Sequence, residues 1–241
     1  MYYLLRLLCC FCILLWACKA KVEPPTEIVV ANNVDSIPIK TKPVLILDAG
    51  HGGADPGAVN DSLNLFEKNI TRKLVDAILN KIDTNKITVI ETRTKDLKTD
   101  RHNRIKYANL FNPDLLLTIH SNFDDDSTIN GFEISLSDST IMSIAGTDTL
   151  RKSNPCKDSC KKYASIVEKS LRTSFPTMRS RNISARKDNI WMICAPHYPS
   201  LLVEFGFISS YKDLPHMTNK KEVDKFASSI VKSIYKIFRV G

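Results

Sequence analysis

The chain has 241 residues, 43% of them hydrophobic and 25% charged, with a formal net charge of +8. These globular proportions exclude wholesale disorder and leave room for one sizeable domain, or one domain with an appendage. Position matters more than totals, because four of the seven cysteines lie in the first 18 residues and four of the eight glycines between positions 50 and 57.

The chain opens on a nearly uncharged apolar stretch from Leu7 to Trp16 behind a single base, Arg6. A spanning helix needs about 20 apolar residues, so this shorter run fits the core of a secretory signal. It ends Leu14-Leu15-Trp16-Ala17-Cys18, which resembles the cleavage box of bacterial lipoproteins. By that resemblance residues 1–17 are a signal peptide, Cys18 becomes the lipidated first residue, and its acyl chains hold the protein to a membrane. Residues 18–42 read as a tether, since Pro24-Pro25, Asn32-Asn33 and Pro38 break any periodic pattern. Within the tether, residues 27–30 form a short run able to pair as an edge strand.

From residue 43 to 241 short apolar runs alternate with helical periodicity. Val44-Leu45-Ile46-Leu47 is a continuous apolar run, as expected of a strand buried on both faces. Ile70, Leu74, Ile78 and Ile82 then recur every four residues and give one apolar helix face. Residues 87–90 read as a second strand and 101–111 as a helix with Ile105 and Ala108 inward. Residues 115–119 and 132–136 are further strands, and Tyr163, Ile166, Val167 and Leu171 mark another helix. Short strands are expected at 190–193 and 201–203, and Val223, Phe226, Ile230, Ile234 and Phe238 mark a closing amphipathic helix. This alternation predicts a single α/β domain whose mainly parallel twisted sheet carries helices on both faces.

In open α/β sheets ligands bind outside the carboxyl ends of the strands, so those ends hold the candidate chemistry. The first strand ends Asp48-Ala49-Gly50-His51-Gly52-Gly53, the strand at 115–119 ends His120-Ser121-Asn122, and the one at 201–203 ends Glu204-Phe205-Gly206. A phosphate cradle at the glycines is a poor fit, because no Gly-Lys-Ser/Thr follows and Asp55 stands where a dinucleotide loop needs glycine. A histidine on such a loop suits a metal, and catalytic zinc takes three His, Asp, Glu or Cys ligands and leaves one position open. His51 and His120 supply two. Glu67 is the third candidate, but Asn64 with Glu67 three residues on also has the form of a helix capping box.

The series Leu47-Asp48-Ala49-Gly50-His51-Gly52-Gly53, Glu67, Thr92-Arg93, Arg104 with Ala108-Asn109, His120-Ser121-Asn122 and Leu202-Val203-Glu204-Phe205-Gly206 resembles the zinc-dependent N-acetylmuramoyl-L-alanine amidases of type 3. The resemblance implies one zinc ion held by His51, Glu67 and His120, with Glu204 as the acid–base residue. It implies hydrolysis of the amide joining the lactyl group of N-acetylmuramic acid to the L-Ala of the stem peptide. The partners it implies are peptidoglycan, a membrane reached through Cys18, and an activating protein of the kind some family members need. The expected location is the periplasmic side of the envelope, at the outer membrane in preference to the inner. A non-catalytic peptidoglycan-binding lipoprotein and a zinc carboxypeptidase acting on stem peptides are the competing readings.

Other features carry less weight. Asn122 is a candidate substrate-binding residue and equally a strand-end turn. Arg93, Arg101 and Arg104 read as solvated or paired in preference to substrate-binding. Asp124-Asp125-Asp126 reads as a solvated loop, His102 and His216 as surface residues, and His197 matches no ligand block. The positive charge suits acidic stem peptides, and export argues against nucleic acid. The polar segment from Ser137 to Cys160 lacks a strong helical pattern where some relatives carry a regulatory helix. Cys156 and Cys160 are able to bridge only if the chain turns between them, which leaves Cys194 unpaired.

Overall fold

The computed structural model describes residues 40–137, 139–144, 147–186 and 190–241. The signal peptide, Cys18, the run at 27–30 and the tether up to residue 39 lie outside them. After β1 (Val44–Ala49), a small hairpin of β2 (Val59–Asn60) and β3 (Leu65–Phe66), joined by a 3-10 turn, leads into α1 (Glu67–Leu79). Next come β4 (Thr88–Glu91), α2 (Arg101–Asn109), β5 (Leu115–Asn122) and β6 (Phe132–Ser137). β7 (Ser139–Ile144) and β8 (Thr147–Ser153) pair as a separate antiparallel hairpin. The rest is α3 (Lys157–Ser174), β9 (Ser180–Arg186), the single turn α4 (Trp191–Cys194), β10 (Ser200–Phe207), the short α5 (Leu214–Thr218) and α6 (Lys220–Phe238).

Six strands form one sheet in the order β4-β1-β5-β10-β6-β9. β4, β1, β5 and β10 are parallel, β6 runs antiparallel to β10, and β9 runs parallel to β6. The mainly parallel α/β architecture expected from the alternation is the one the chain adopts. Successive strand residues point to opposite faces, and the core divides accordingly. Leu45, Leu47, Leu115 and Leu117 pack with the apolar stripes of α1, α3 and α6. On the opposite face Ile46 and Leu116 meet Ile105 and Ala108 of α2 and Met192 of α4.

One expectation changes, and the structure adds elements that the apolar pattern does not announce. Residues 190–193 were expected as a strand, but Trp191–Cys194 is a helical turn with Ile190 as its N-cap. A four-residue apolar run carries too few positions for a period of two to be told from 3.6. β9 is a polar strand at the sheet edge, with only β6 beside it, and so shows no apolar run. The segment before α3 holds the β7–β8 hairpin. The bridge considered for Cys156 and Cys160 is not formed: both are free thiols. Cys160 turns into the core, while the Cys156 Sγ donates to the His197 carbonyl at 3.3 Å.

Candidate metal centre and active site

Strand register assembles half of the site. Asp48 lies opposite Thr118, Thr118 opposite Leu202, and His120 opposite Glu204 across β1, β5 and β10. Alternation puts all five side chains on the sheet face that α2 and α4 cover. Glu204 is half-buried there, at the end of a run that packs Val203 and Phe205 into the core behind it. A bulge follows Glu204 in β10, and the buried carboxylate of Asp213 fixes it by accepting the backbone N–H of Phe207 at 2.9 Å and of Gly131 at 2.7 Å.

The glycine cluster supplies close approach. A Cβ on Gly50 would stand 2.4 Å from the His120 ring, so only a hydrogen fits beneath it. Gly57, at φ +67°, has a Cβ position 2.5 Å from Glu67 Oε2 and 2.6 Å from the His51 ring. His51 itself adopts φ 59°, a left-handed conformation rare outside glycine and asparagine.

Glu67 is the first residue of α1, but it does not cap that helix: the N-cap is Phe66, which contributes no side-chain hydrogen bond. The side chain that caps locally is Asn60, which accepts the Leu63 N–H of the 3-10 turn. The proposed Asn64–Glu67 capping box is therefore not formed. Instead Glu67, 4% exposed, accepts the backbone N–H groups of Ala58 at 2.9 Å and Ser121 at 3.1 Å. Its Oε2 lies 3.0 Å from His51 Nε2 and its Oε1 2.8 Å from His120 Nδ1. One ligand atom from each of His51, Glu67 and His120 lies within 4.8 Å of the others.

Two imidazoles and a carboxylate converging in this way, with the far nitrogen of His51 held 3.0 Å from Asp55 Oδ2, match the donors and the outer carboxylate of a catalytic zinc site. The electrostatics agree. Burial opposes charge on Glu67, yet the bonds to His120 and His51 hold its carboxyl well below the usual range. Burial also disfavours charge on both imidazoles, and Glu67 overcomes it, raising His51 and pushing His120 up to about 9. The pocket is built to hold positive charge against one buried carboxylate, which is what a divalent cation supplies in place of protons.

Two arginines pin the loop that carries His51. Arg93 donates to the carbonyls of Ala49 at 2.9 Å, Gly50 at 3.0 Å and Lys68 at 2.9 Å. Arg104, from α2, donates to Ala49 O at 2.6 Å, to Thr99 O at 3.0 Å and to His51 O. It also pairs at 2.7 Å with Asp48, whose carboxylate takes the hydroxyls of Thr92 and Thr118 as well. Burial would raise the Asp48 carboxyl, but Arg104 and the two threonines leave it lowered. The expectation of paired arginines thus holds for Arg93 and Arg104, and their role is larger than pairing. Asp48 was given no role of its own from the sequence, although a charged residue ending a buried strand is itself a signal.

A cleft of about 480 Å³ opens over these groups, with Asp48, His51, His120 and Glu204 in its floor. Its lining also includes Arg101 and Lys98, and Ile190, Trp191 and Leu202. Asn122 ends β5 in a turn, its Oδ1 accepting the Phe123 N–H at 2.8 Å. Asp124 and Asp126 likewise accept backbone N–H groups two residues on, at 3.0 and 2.9 Å. His102 is exposed and packs on the Trp191 ring at 4.2 Å, and His216 is half-buried beside Glu222 at 2.9 Å.

Comparison with known proteins gives a consistent picture. Residues 45–236 match the family model described as N-acetylmuramoyl-L-alanine amidase. The N-acetylmuramoyl-L-alanine amidase LytC of Bacillus subtilis is 26% identical over 207 residues, which cover 86% of this chain and 37% of that longer protein. An N-acetylmuramoyl-L-alanine amidase from Clostridium difficile 630 superposes with a TM-score of 0.70 at 24% identity, covering 83% of this chain and 98% of that one. The CwlD amidase of Clostridioides difficile, solved in complex with the GerS lipoprotein, gives 0.67 at 25% identity over 83% of this chain and 100% of CwlD.

Proposed function

Since the chain belongs to the N-acetylmuramoyl-L-alanine amidase family and is a hydrolase of that class, we propose that it cuts the bond between N-acetylmuramic acid and L-alanine in peptidoglycan, with one zinc ion held by His51, Glu67 and His120. The observation that carries this reading is the convergence of those three donors beside Glu204, the register partner of His120. When bound, zinc supplies a Lewis acid for the scissile carbonyl and for water. Glu204 accepts the proton of the attacking water and returns it to the amine nitrogen, which cannot leave as an anion. Arg93 and Arg104 hold the His51 loop still while the bond breaks, and Asp55 orients the His51 ring through its far nitrogen. Asn122, at the end of the strand that carries His120, contacts the substrate.

Residues 1–17 are a lipoprotein signal, 18–42 a tether and 43–241 the catalytic domain. Lipid on Cys18 holds that domain at the outer membrane, facing the periplasm, where it remodels the wall or separates daughter cells under a protein activator. Cys18→Ala is expected to release the protein from the membrane fraction.

Digestion of purified peptidoglycan followed by mass spectrometry tests the reaction. Free stem peptides with L-Ala at their N-termini are expected. Shortened stems would mean a carboxypeptidase, and no product at all would mean a binding protein. Glu204→Gln is expected to abolish turnover with zinc still bound, whereas His51→Ala and His120→Ala are expected to lose metal and activity together. Full activity in Glu204→Gln would remove its acid–base role.

A further inference from the structure

The lining of the cleft combines two kinds of chemistry. One comes from the loop before α2 together with the first turn of that helix, which presents Lys98 and Arg101, both exposed. The other, from α4 and β10, presents Ile190, Trp191 and Leu202. The cationic part is anchored. Asp96 accepts the Gly53 N–H at 2.7 Å and the Lys68 ammonium at 2.8 Å, which ties the loop to the glycine turn beside His51. Asp100 caps α2 through the His102 N–H at 2.7 Å, and His102 packs on Trp191, so the two parts brace each other.

A census of charge in the cleft then separates these two cations from the rest. Asp48 is paired with Arg104, Asp55 with His51, and Asp100 with the end of α2. Glu204 lies against His120. Lys98 and Arg101 form no ion pair among the described residues and are exposed, so both are open to an anionic ligand.

The substrate carries its charge on one side only. In N-acetylmuramoyl-L-alanine the carboxyl of the lactyl group is consumed in the scissile amide, and the glycan side offers hydroxyls, acetamides and C–H faces. Free carboxylates occur only on the peptide side. We propose that Lys98 and Arg101 bind a free carboxylate of the stem peptide and Trp191 faces the sugar, which fixes the direction in which substrate lies across the metal centre and makes the enzyme selective for uncapped acidic stems. Arg101 contributes a planar two-pronged donor and Lys98 a mobile point charge, a combination suited to one carboxylate. The inference rests on the amidase reading. It adds which end of the substrate lies where and which peptide chemistry is preferred.

The test uses the zinc-loaded protein and two soluble muramoyl peptides that differ only in whether the α-carboxyl of the second residue is free or a carboxamide. The parent is expected to favour the acid by about ten-fold or more in kcat/KM, through KM, as loss of a charge-assisted hydrogen bond implies. In Lys98→Gln/Arg101→Gln the KM for the acid is expected to rise until the preference is nearly gone. The parent's preference is also expected to shrink with added salt. Trp191→Leu is expected to raise KM for both substrates alike. Equal KM values in the parent, or a preference kept by the double variant, overturn the inference and leave the amidase reading standing. Cleavage of neither substrate by the parent overturns both.

Discussion

Replacing Asp48 by leucine tests how the His51 loop is held. Asp48 is 1% exposed and Arg104 4%, and the carboxylate is the only acid bonded to that guanidinium among the described residues. Asp48→Leu leaves Arg104 charged in the interior, still donating to the Ala49 and His51 carbonyls. Breaking a buried pair from one side costs about 3–5 kcal/mol, a large share of the ~5–15 kcal/mol that an ordinary domain possesses. Asp48→Leu/Arg104→Met removes both charges and keeps the volume filled, an exchange that is often neutral or stabilising. The double variant is therefore expected to recover part of the lost stability, the rest being held back by the hydrogen bonds that Arg104 and Asp48 no longer make. It is not expected to recover metal affinity, because a methionine donates nothing to the carbonyls of Ala49, Thr99 and His51; a deficit of about ten-fold or more should remain. Urea unfolding followed by circular dichroism reads the first quantity, and competition with a zinc chelator reads the second. A double variant that binds zinc as tightly as the parent would refute the pinning role. So would a single variant no less stable than the parent.

Two further outcomes are expected. Gly57→Ala places a methyl group against Glu67 and the His51 ring at a left-handed φ, which costs about 1–2 kcal/mol of backbone strain. Because the ligands must shift to admit it, zinc affinity is expected to fall about 10–100-fold, measured by the same competition, and unchanged affinity would count against the close-packed cradle. The second concerns acid. The Asp48 carboxyl is lowered from its ordinary 3.8, so its contribution to stability is complete above that value and is lost as pH falls through the folded-state pKa. Parent stability is expected to drop as pH falls below about 4, and Asp48→Leu/Arg104→Met to lack that part of the slope. Equal slopes in the two proteins would show that Asp48 does not carry it.

The central strands and the rim were legible because burial on both faces writes itself as unbroken apolar sequence, as in Val44-Leu45-Ile46-Leu47 and Leu115-Leu116-Leu117. Once those strands are known, His51, His120 and Glu204 follow as the residues at their ends. Glu67 was ambiguous because its capping-box spacing is genuine and its alternative partners, the backbone of Ala58 and Ser121, come from distant segments. Arg93 and Arg104 were underestimated for a related reason: a buried arginine that serves backbone carbonyls has the same sequence context as a solvated one. Trp191–Cys194 was misread as a strand because one turn of apolar chain has no resolvable period. β9 was missed because an edge strand with polar residues obeys no apolar rule.

Glu204 and His120 face each other across the β5–β10 ladder, so the gap between the proposed proton carrier and the proposed metal ligand is set by main-chain hydrogen bonds at the strand spacing of about 4.8 Å. Lys98, Arg101 and Trp191 belong to a connecting loop, a helix end and a one-turn helix, none of which contributes to that ladder. Cutting and choosing are thus lodged in separable parts of the molecule. The segments flanking the cleft can diverge, lengthen or be exchanged between relatives while the separation of the two reacting groups stays where the sheet puts it. Engineering new stem-peptide preferences should accordingly begin at Lys98, Arg101 and Trp191 and leave strand residues untouched.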